Sequence, residues 1–171
     1  MGGAVIAWPE GAEALFRTAS REPLVPDVPD ATVLDRAAIE ALLPHRAPFL
    51  LVHRVLAVDP EEGRLVARYP LSDAREVLAG HFPGNPVFPG ALQIEAVGQA
   101  ALLLELVRRG TTGAVALTHV LGARFLRPVG PEGELEVAVQ AVDDGLFVSA
   151  VGQILHRGEI CAVAGVSCVV D

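Results

Sequence analysis

Alternation of apolar and polar positions marks out most of the strands in this chain. It is cleanest over Glu134 to Val142, where Leu135, Val137, Val139 and Ala141 interleave with Glu134, Glu136, Ala138 and Gln140. A strand of that pattern turns one apolar face toward something that must cover it. Phe49 to Val58 and Arg64 to Tyr69 are apolar, β-branched runs joined by Asp59-Pro60-Glu61-Glu62-Gly63, a turn composition that predicts a hairpin. Ala114 to His119, Ala123 to Leu126, Leu146 to Leu155 and Glu159 to Val170 predict further strands, parted by Gly130-Pro131-Glu132-Gly133, Asp143-Asp144-Gly145 and His156-Arg157-Gly158. The last three strands should form an antiparallel meander.

Pro89 to Val107 is apolar at helical length and has both ends written into it. Proline near the first turn gives up an amide that had no partner, while Arg108-Arg109-Gly110 sets two cations and a left-handed closing residue at the other end. A helix of about 20 residues is about 30 Å long, enough to cover the apolar face of the sheet. Shorter helices are predicted near Gly11 to Ser20 and from Asp35, as N-cap, to Leu43, where Pro44 stops it. A chain through His81 reads as loop. Residues 1–32 form an extension whose Pro23, Pro26 and Pro29 deny a ladder or helix, and residues 33–171 form the main domain. The fold class is α+β, a curved antiparallel sheet wrapped around one long central helix.

Composition narrows the functions without naming one. The chain is 51% hydrophobic, which fits one folded domain, and its thirteen basic against twenty-one acidic residues leave a net charge of −8. That balance opposes nucleic-acid binding. The long apolar helix carries Gln93, Glu95, Gln99 and Glu105, so it reads as a buried core helix and not a membrane span. Met1 to Trp8 lacks the basic lead of a signal peptide, and Ile6 stands where myristoylation needs Ser or Thr. Cys161 and Cys168 lie seven apart on one predicted strand, hence on opposite faces and unable to pair. Unpaired thiols fit a reducing, cytoplasmic setting. The five histidines have no metal-site spacing.

Chemistry concentrates between Gly80 and Glu95. The stretch Gly80-His81-Phe82-Pro83-Gly84-Asn85-Pro86-Val87-Phe88-Pro89-Gly90-Ala91-Leu92-Gln93-Ile94-Glu95 supplies a base, a Gly/Pro turn, a helix start and an acid. An imidazole and a carboxyl together suit proton removal beside a carbonyl coupled to loss of a hydroxyl. Glu95 sits among Ala91, Leu92, Ile94, Ala96 and Val97, where lost hydration favours its neutral, proton-donating form. Gln99 follows one turn later on the same face. Unpaired amides at the helix start, with Gly90 the candidate donor, would stabilise charge on a thioester oxygen by about 3 kcal/mol each. His45 and Arg46 read as a structural, helix-stopping turn.

Three segments in order then carry a resemblance: Leu42-Leu43-Pro44-His45-Arg46-Ala47-Pro48-Phe49-Leu50-Leu51-Val52; Gly80 to Gly90 with Glu95-Ala96-Val97-Gly98-Gln99; and Ala123-Arg124-Phe125-Leu126-Arg127-Pro128-Val129. From about Leu34 onward the chain resembles the (3R)-3-hydroxyacyl-acyl-carrier-protein dehydratases. The resemblance implies a hotdog fold and a homodimer, assembling further into a trimer of dimers, with His81 of one subunit meeting Glu95 of the other. It implies that His81 removes the proton alpha to the thioester, Glu95 protonates the departing 3-hydroxyl, and the Gly90 amide binds the thioester oxygen. Phe82, Pro89 and Gln99 complete the expected substrate contacts. No metal or organic cofactor is implied beyond the phosphopantetheine of the carrier protein.

Glutamate at position 95 matches the dehydratase-only branch of the resembling family, where a dehydratase/isomerase branch has aspartate. Departures are His53 for Asp, Val77-Leu78 for a Phe pair, and Gln93 for an apolar residue. Gln93 lies about 200° around the helix from Glu95 and is assigned to an interface. Arg46, Arg124 and Arg127 are candidate docking cations for an acidic carrier protein. The alternatives are a hotdog thioesterase, with Glu95 activating water, and a non-catalytic acyl-binding subunit.

Overall fold

The computed structural model describes residues 7–112, 115–143 and 148–170. Helix α1 (Ala12–Ala19) and helix α2 (Arg36–Leu42) precede the hairpin β1 (Arg54–Asp59) and β2 (Arg64–Pro70). A 3-10 turn (Leu71–Ala74) then runs into α3 (Arg75–Gly80), followed by the long α4 (Gly90–Arg109) and strands β3 (Val115–Phe125), β4 (Glu134–Asp143), β5 (Val148–His156) and β6 (Glu159–Val170). All six strands form one sheet in the order β1-β2-β4-β5-β6-β3, and every pairing is antiparallel. This is the α+β arrangement expected from the pattern.

Helix α4 ends as its sequence foretells. Pro89 is the N-cap, and Gly110 closes the helix at φ 60, where an L side chain would be strained. Its side chains Ala96, Val97, Ala100, Leu103, Leu104 and Leu106 are buried with Val137, Val139, Ala150, Ile154, Ala162 and Ala164 from the sheet. The closest approach is at Gly152, where a Cβ would stand 2.5 Å from Val97 Cγ1 and 3.0 Å from Val139 Cγ1. Helix and sheet can meet there only because β5 has no side chain at that point. Asp35 caps α2 by accepting the Ala38 N–H at 2.9 Å.

Several boundaries differ from expectation. The strand expected from Phe49 begins only at Arg54, because residues 49–51 hydrogen-bond to a helix side chain instead of a neighbouring strand. The two strands expected around His119 and Ala123 are one, β3, which absorbs the irregularity in bulges at Leu117/His119 and Val120/Gly122. Ala114 and residues 144–147, where an expected strand start and the turn Asp144-Gly145 fall, lie outside the described residues, as do residues 1–6. The segment before His81 contains α3, a six-residue helix without a side-chain cap, which a short run lacking periodicity did not announce.

Cys161 and Cys168 do not face opposite ways. Ile154 pairs with Ala162 and Leu155 with Ile160, so a bulge at Cys161 resets the alternation of β6. Cys161 joins the core cluster under α4, and Cys168 lines a cavity with Gly98 and Leu102 of the same helix. Both thiols are free and buried.

The opposite face of the sheet is covered by the extension. Phe16 and Ala19 of α1 pack with Val151 and Val163, joined by Trp8, Leu15 and Leu24. Val25 and Val28 pack on Val66, Ala138 and Leu155. The proline-rich part makes no ladder, as expected. Instead the buried Gln153 of β5 serves its backbone: Gln153 Oε1 accepts the Leu24 N–H at 2.7 Å, and its amide donates to the carbonyls of Ala19 and Glu22.

Candidate active site

His81 follows the last turn of α3 and is closed off by reciprocal bonds to Val87. The Val87 N–H donates to the His81 carbonyl at 2.7 Å, and His81 Nδ1 lies 2.7 Å from the Val87 carbonyl. A carbonyl oxygen can only accept, so Nδ1 carries a proton, and in the neutral ring the lone pair is then on Nε2. Phe82, 56% exposed, stacks on it at 4.1 Å between centroids.

Glu95 stands on α4 one turn before the fully buried Gln99. Its Oε1 accepts from Gln99 Nε2 at 2.8 Å and lies 3.6 Å from His45 Nε2. The carboxyl side chain is 25% exposed and opens on a small cavity of about 40 Å³ lined by His45, Gly98, Gln99, Leu102, Leu117 and Cys168. Burial, with Glu95 nearby, pushes the Cys168 thiol up to about 11, so it stays protonated at neutral pH.

Gln99 was expected to contact substrate, and its polar atoms are already spent. Its Oε1 accepts the Leu51 N–H at 2.8 Å, while Nε2 gives its hydrogens to the Phe49 carbonyl and to Glu95. It therefore holds the 49–51 segment and the acid together. Gly90 opens α4 beside Phe125, whose Cε1 lies 2.7 Å from where a Cβ would be. The Gly90 amide precedes the helix ladder, consistent with a donor role, and Pro89 stands directly before it.

Gln93 is buried and not part of an exposed face: Nε2 donates to the Phe88 carbonyl at 3.1 Å, and Oε1 has no partner among the described residues. His53 faces Asp73 at 3.6 Å. Leu78 is core and Val77 is exposed. Each of the three candidate docking cations has a contact within the chain. Arg46 donates to the carbonyls of Leu43, His45 and Glu40, Arg124 lies over the Phe16 ring, and Arg127 pairs with Glu159. Among the described residues no three His, Cys, Asp or Glu side chains converge as a metal site would need.

Sequence reasoning missed the nearness of His45 to Glu95. The two are 50 residues apart, and the only available signal was that both stand in motifs of the same site. Within the chain, the cavity around Glu95 does not include His81.

A six-stranded antiparallel sheet wrapped on one long helix defines an α+β protein of the hotdog class. A family model described as a FabA-like domain matches residues 43–164. The chain is 45% identical over 117 residues to a 3-hydroxyacyl-[acyl-carrier-protein] dehydratase FabZ of Anaeromyxobacter sp. (strain Fw109-5), covering 66% of this chain and 73% of the relative. A second such dehydratase, from Anaeromyxobacter sp. (strain K), is 41% identical over 155 residues, with 88% and 93% covered. The chain belongs to this dehydratase family. Among solved structures, the dehydratase heterocomplex ApeI:P from Xenorhabdus doucetiae superposes with a TM-score of 0.60 at 21% identity, over 78% of this chain and 90% of that one. The uncharacterized protein PH1136 from Pyrococcus horikoshii does so at 0.57 and 15%, over 82% and 95%. These two speak for the fold.

Proposed function

We propose that the protein dehydrates (3R)-3-hydroxyacyl thioesters, carried on the phosphopantetheine of an acyl carrier protein, to trans-2-enoyl thioesters in fatty-acid biosynthesis, acting in the cytoplasm. The observation that carries this reading is the Nδ1 bond of His81 to the Val87 carbonyl, which leaves Nε2 free to take a proton. Nε2 removes the proton from C2, the electron pair forms the C2–C3 double bond, and the C3–O bond breaks. The proton of Glu95 goes to the departing oxygen, and water leaves. Solvent then takes the proton from His81 and returns one to Glu95. The Gly90 amide stabilises the thioester oxygen as charge gathers there. The groups named are all side chains or backbone, and the acyl carrier supplies the only prosthetic arm.

The smallest active unit is a homodimer. Strand β3 is an edge of the sheet and exposes Leu117, Val120 and Phe125, with Leu126 beside them. An apolar edge of this kind calls for cover. Leu117 also lines the Glu95 cavity, so a second copy seated on β3 would lie against the wall of that site, where the shared-site reading needs its His81.

The test is to follow enoyl formation and free-thiol release on carrier-bound 3-hydroxyacyl chains. Enoyl product without thiol release is expected, with His81→Ala and Glu95→Gln each lowering turnover by about two orders of magnitude or more. Thiol release as the main product would make the protein a thioesterase, and wild-type turnover in either variant would remove that residue from the chemistry.

A further inference from the structure

We propose that His45 is a positioning residue for Glu95: it helps fix one carboxyl oxygen as an acceptor, so that the other oxygen carries the proton given to the leaving hydroxyl. The inference rests on the dehydratase reading above. Glu95 Oε1 already accepts a hydrogen from Gln99 Nε2 at 2.8 Å, and His45 Nε2 lies 3.6 Å from the same atom. Two N–H groups converging on Oε1 disfavour a proton there, since an O–H would meet hydrogens and find no acceptor. The acid proton is then confined to Oε2.

The ring is held in the form this role needs. His45 Nδ1 is buried and has no hydrogen-bond partner among the described residues. A doubly protonated ring would bury a charged N–H with no acceptor, whereas the neutral ring protonated on Nε2 buries only a lone pair, the smaller penalty. The donor therefore points at Glu95. Phe49 stacks on the ring, with centroids 6.4 Å apart and planes 24° apart. The Arg46 guanidinium pins the His45 carbonyl at 2.7 Å and, at 2.8 Å, the carbonyls of Glu40 in α2 and of Leu43 that caps it, and Gln99 pins Phe49 and Leu51 on the other side. The turn is thus fastened to α2 at one end and to α4 at the other. The separation of 3.6 Å is just beyond hydrogen-bond length, and a shift of about 0.5 Å would bring the Nε2–H onto Oε1.

Three variants test the proposal on carrier-bound substrate, each checked for folding by circular dichroism. His45→Phe keeps a ring against Phe49 but removes the N–H, His45→Gln restores an N–H at similar reach, and Glu95→Gln reports on the acid itself. His45→Phe is expected to lower kcat by about tenfold or more with KM within about twofold, and His45→Gln to regain most of it. Wild-type kcat in His45→Phe overturns the proposal, as does a loss carried by KM or one that His45→Gln does not restore. Should His45→Phe fail to fold, His45→Leu is read the same way. An active Glu95→Gln would instead overturn the assignment of the acid, so the two failures are distinguishable.

Discussion

Gln99 shows how one buried amide can organise a site. Removing it in Gln99→Leu leaves the Leu51 N–H and the Phe49 carbonyl unpaired and frees Glu95 to turn. The Leu51 N–H is the buried one, and a buried orphan costs about 1–3 kcal/mol, so denaturant unfolding of this variant should show a loss of about 1–3 kcal/mol together with reduced kcat. A variant as stable as the wild type would mean that water replaces those bonds. That Gln99 shares a face with Glu95 was legible from their spacing of four. Its partners at Phe49 and Leu51 were not, because contacts across 48 and 50 residues leave no local trace. The same holds for His45, whose sequence setting after Pro44 describes only a turn. By contrast His81 and Glu95 were found as a pair because turn residues and a helix start lie between them.

The elements that were legible carry their own boundary signals. Helix α4 has Pro89, two terminal arginines and Gly110, and β4 has strict alternation. Helix α3 has neither, and the chain at 49–51 is apolar without being a strand because Phe49 and Leu51 bond to Gln99 of α4. The extension was legible only as proline-rich, yet it shields the outer face of the sheet. Trp8 lies over Gly122 and Gly165, which pair across β3 and β6. A Cβ at Gly122 would stand 2.8 Å from Trp8 Cζ2, and one at Gly165 2.5 Å from Cη2. These glycines are a seat for the indole. Deleting residues 1–32 should therefore expose Val151, Val163, Val66 and Leu155 and strand Gln153, lowering the melting temperature and promoting aggregation, as calorimetry and light scattering would show. An unchanged melting temperature would mean that the extension contributes nothing to the fold. On the inner face, Gly152→Ala should cost about 1–3 kcal/mol through overpacking against Val97, measurable by urea unfolding.

For the whole molecule, net charge and buried thiols set the response to solution conditions. The Cys168 thiol has its ordinary value of 9.0 pushed up to about 11, chiefly by burial, and burial also pushes Cys161 up. An acid whose folded value is raised binds its proton more tightly when folded, so its contribution to stability is complete below about pH 9 and is lost as pH rises toward 11. Urea midpoints should be steady up to about pH 9 and fall above it, less steeply in Cys168→Ala; an identical slope in that variant would assign the fall to other groups. Arg46 donates to three backbone carbonyls, whereas Arg127 is about half exposed beside an exposed Glu159 at 3.6 Å, a surface contact that leaves it open to other anions.

The central claim is that a base and an acid from two copies of the chain complete each site. Inactive His81→Ala and inactive Glu95→Gln chains, mixed by co-expression, test it directly. In a mixed dimer one site unites the intact His81 of one copy with the intact Glu95 of the other, and the second site has neither. Random assortment of equal amounts should then recover about a quarter of wild-type turnover. Recovery of none, from chains shown to have formed mixed dimers, would contradict a site shared between subunits.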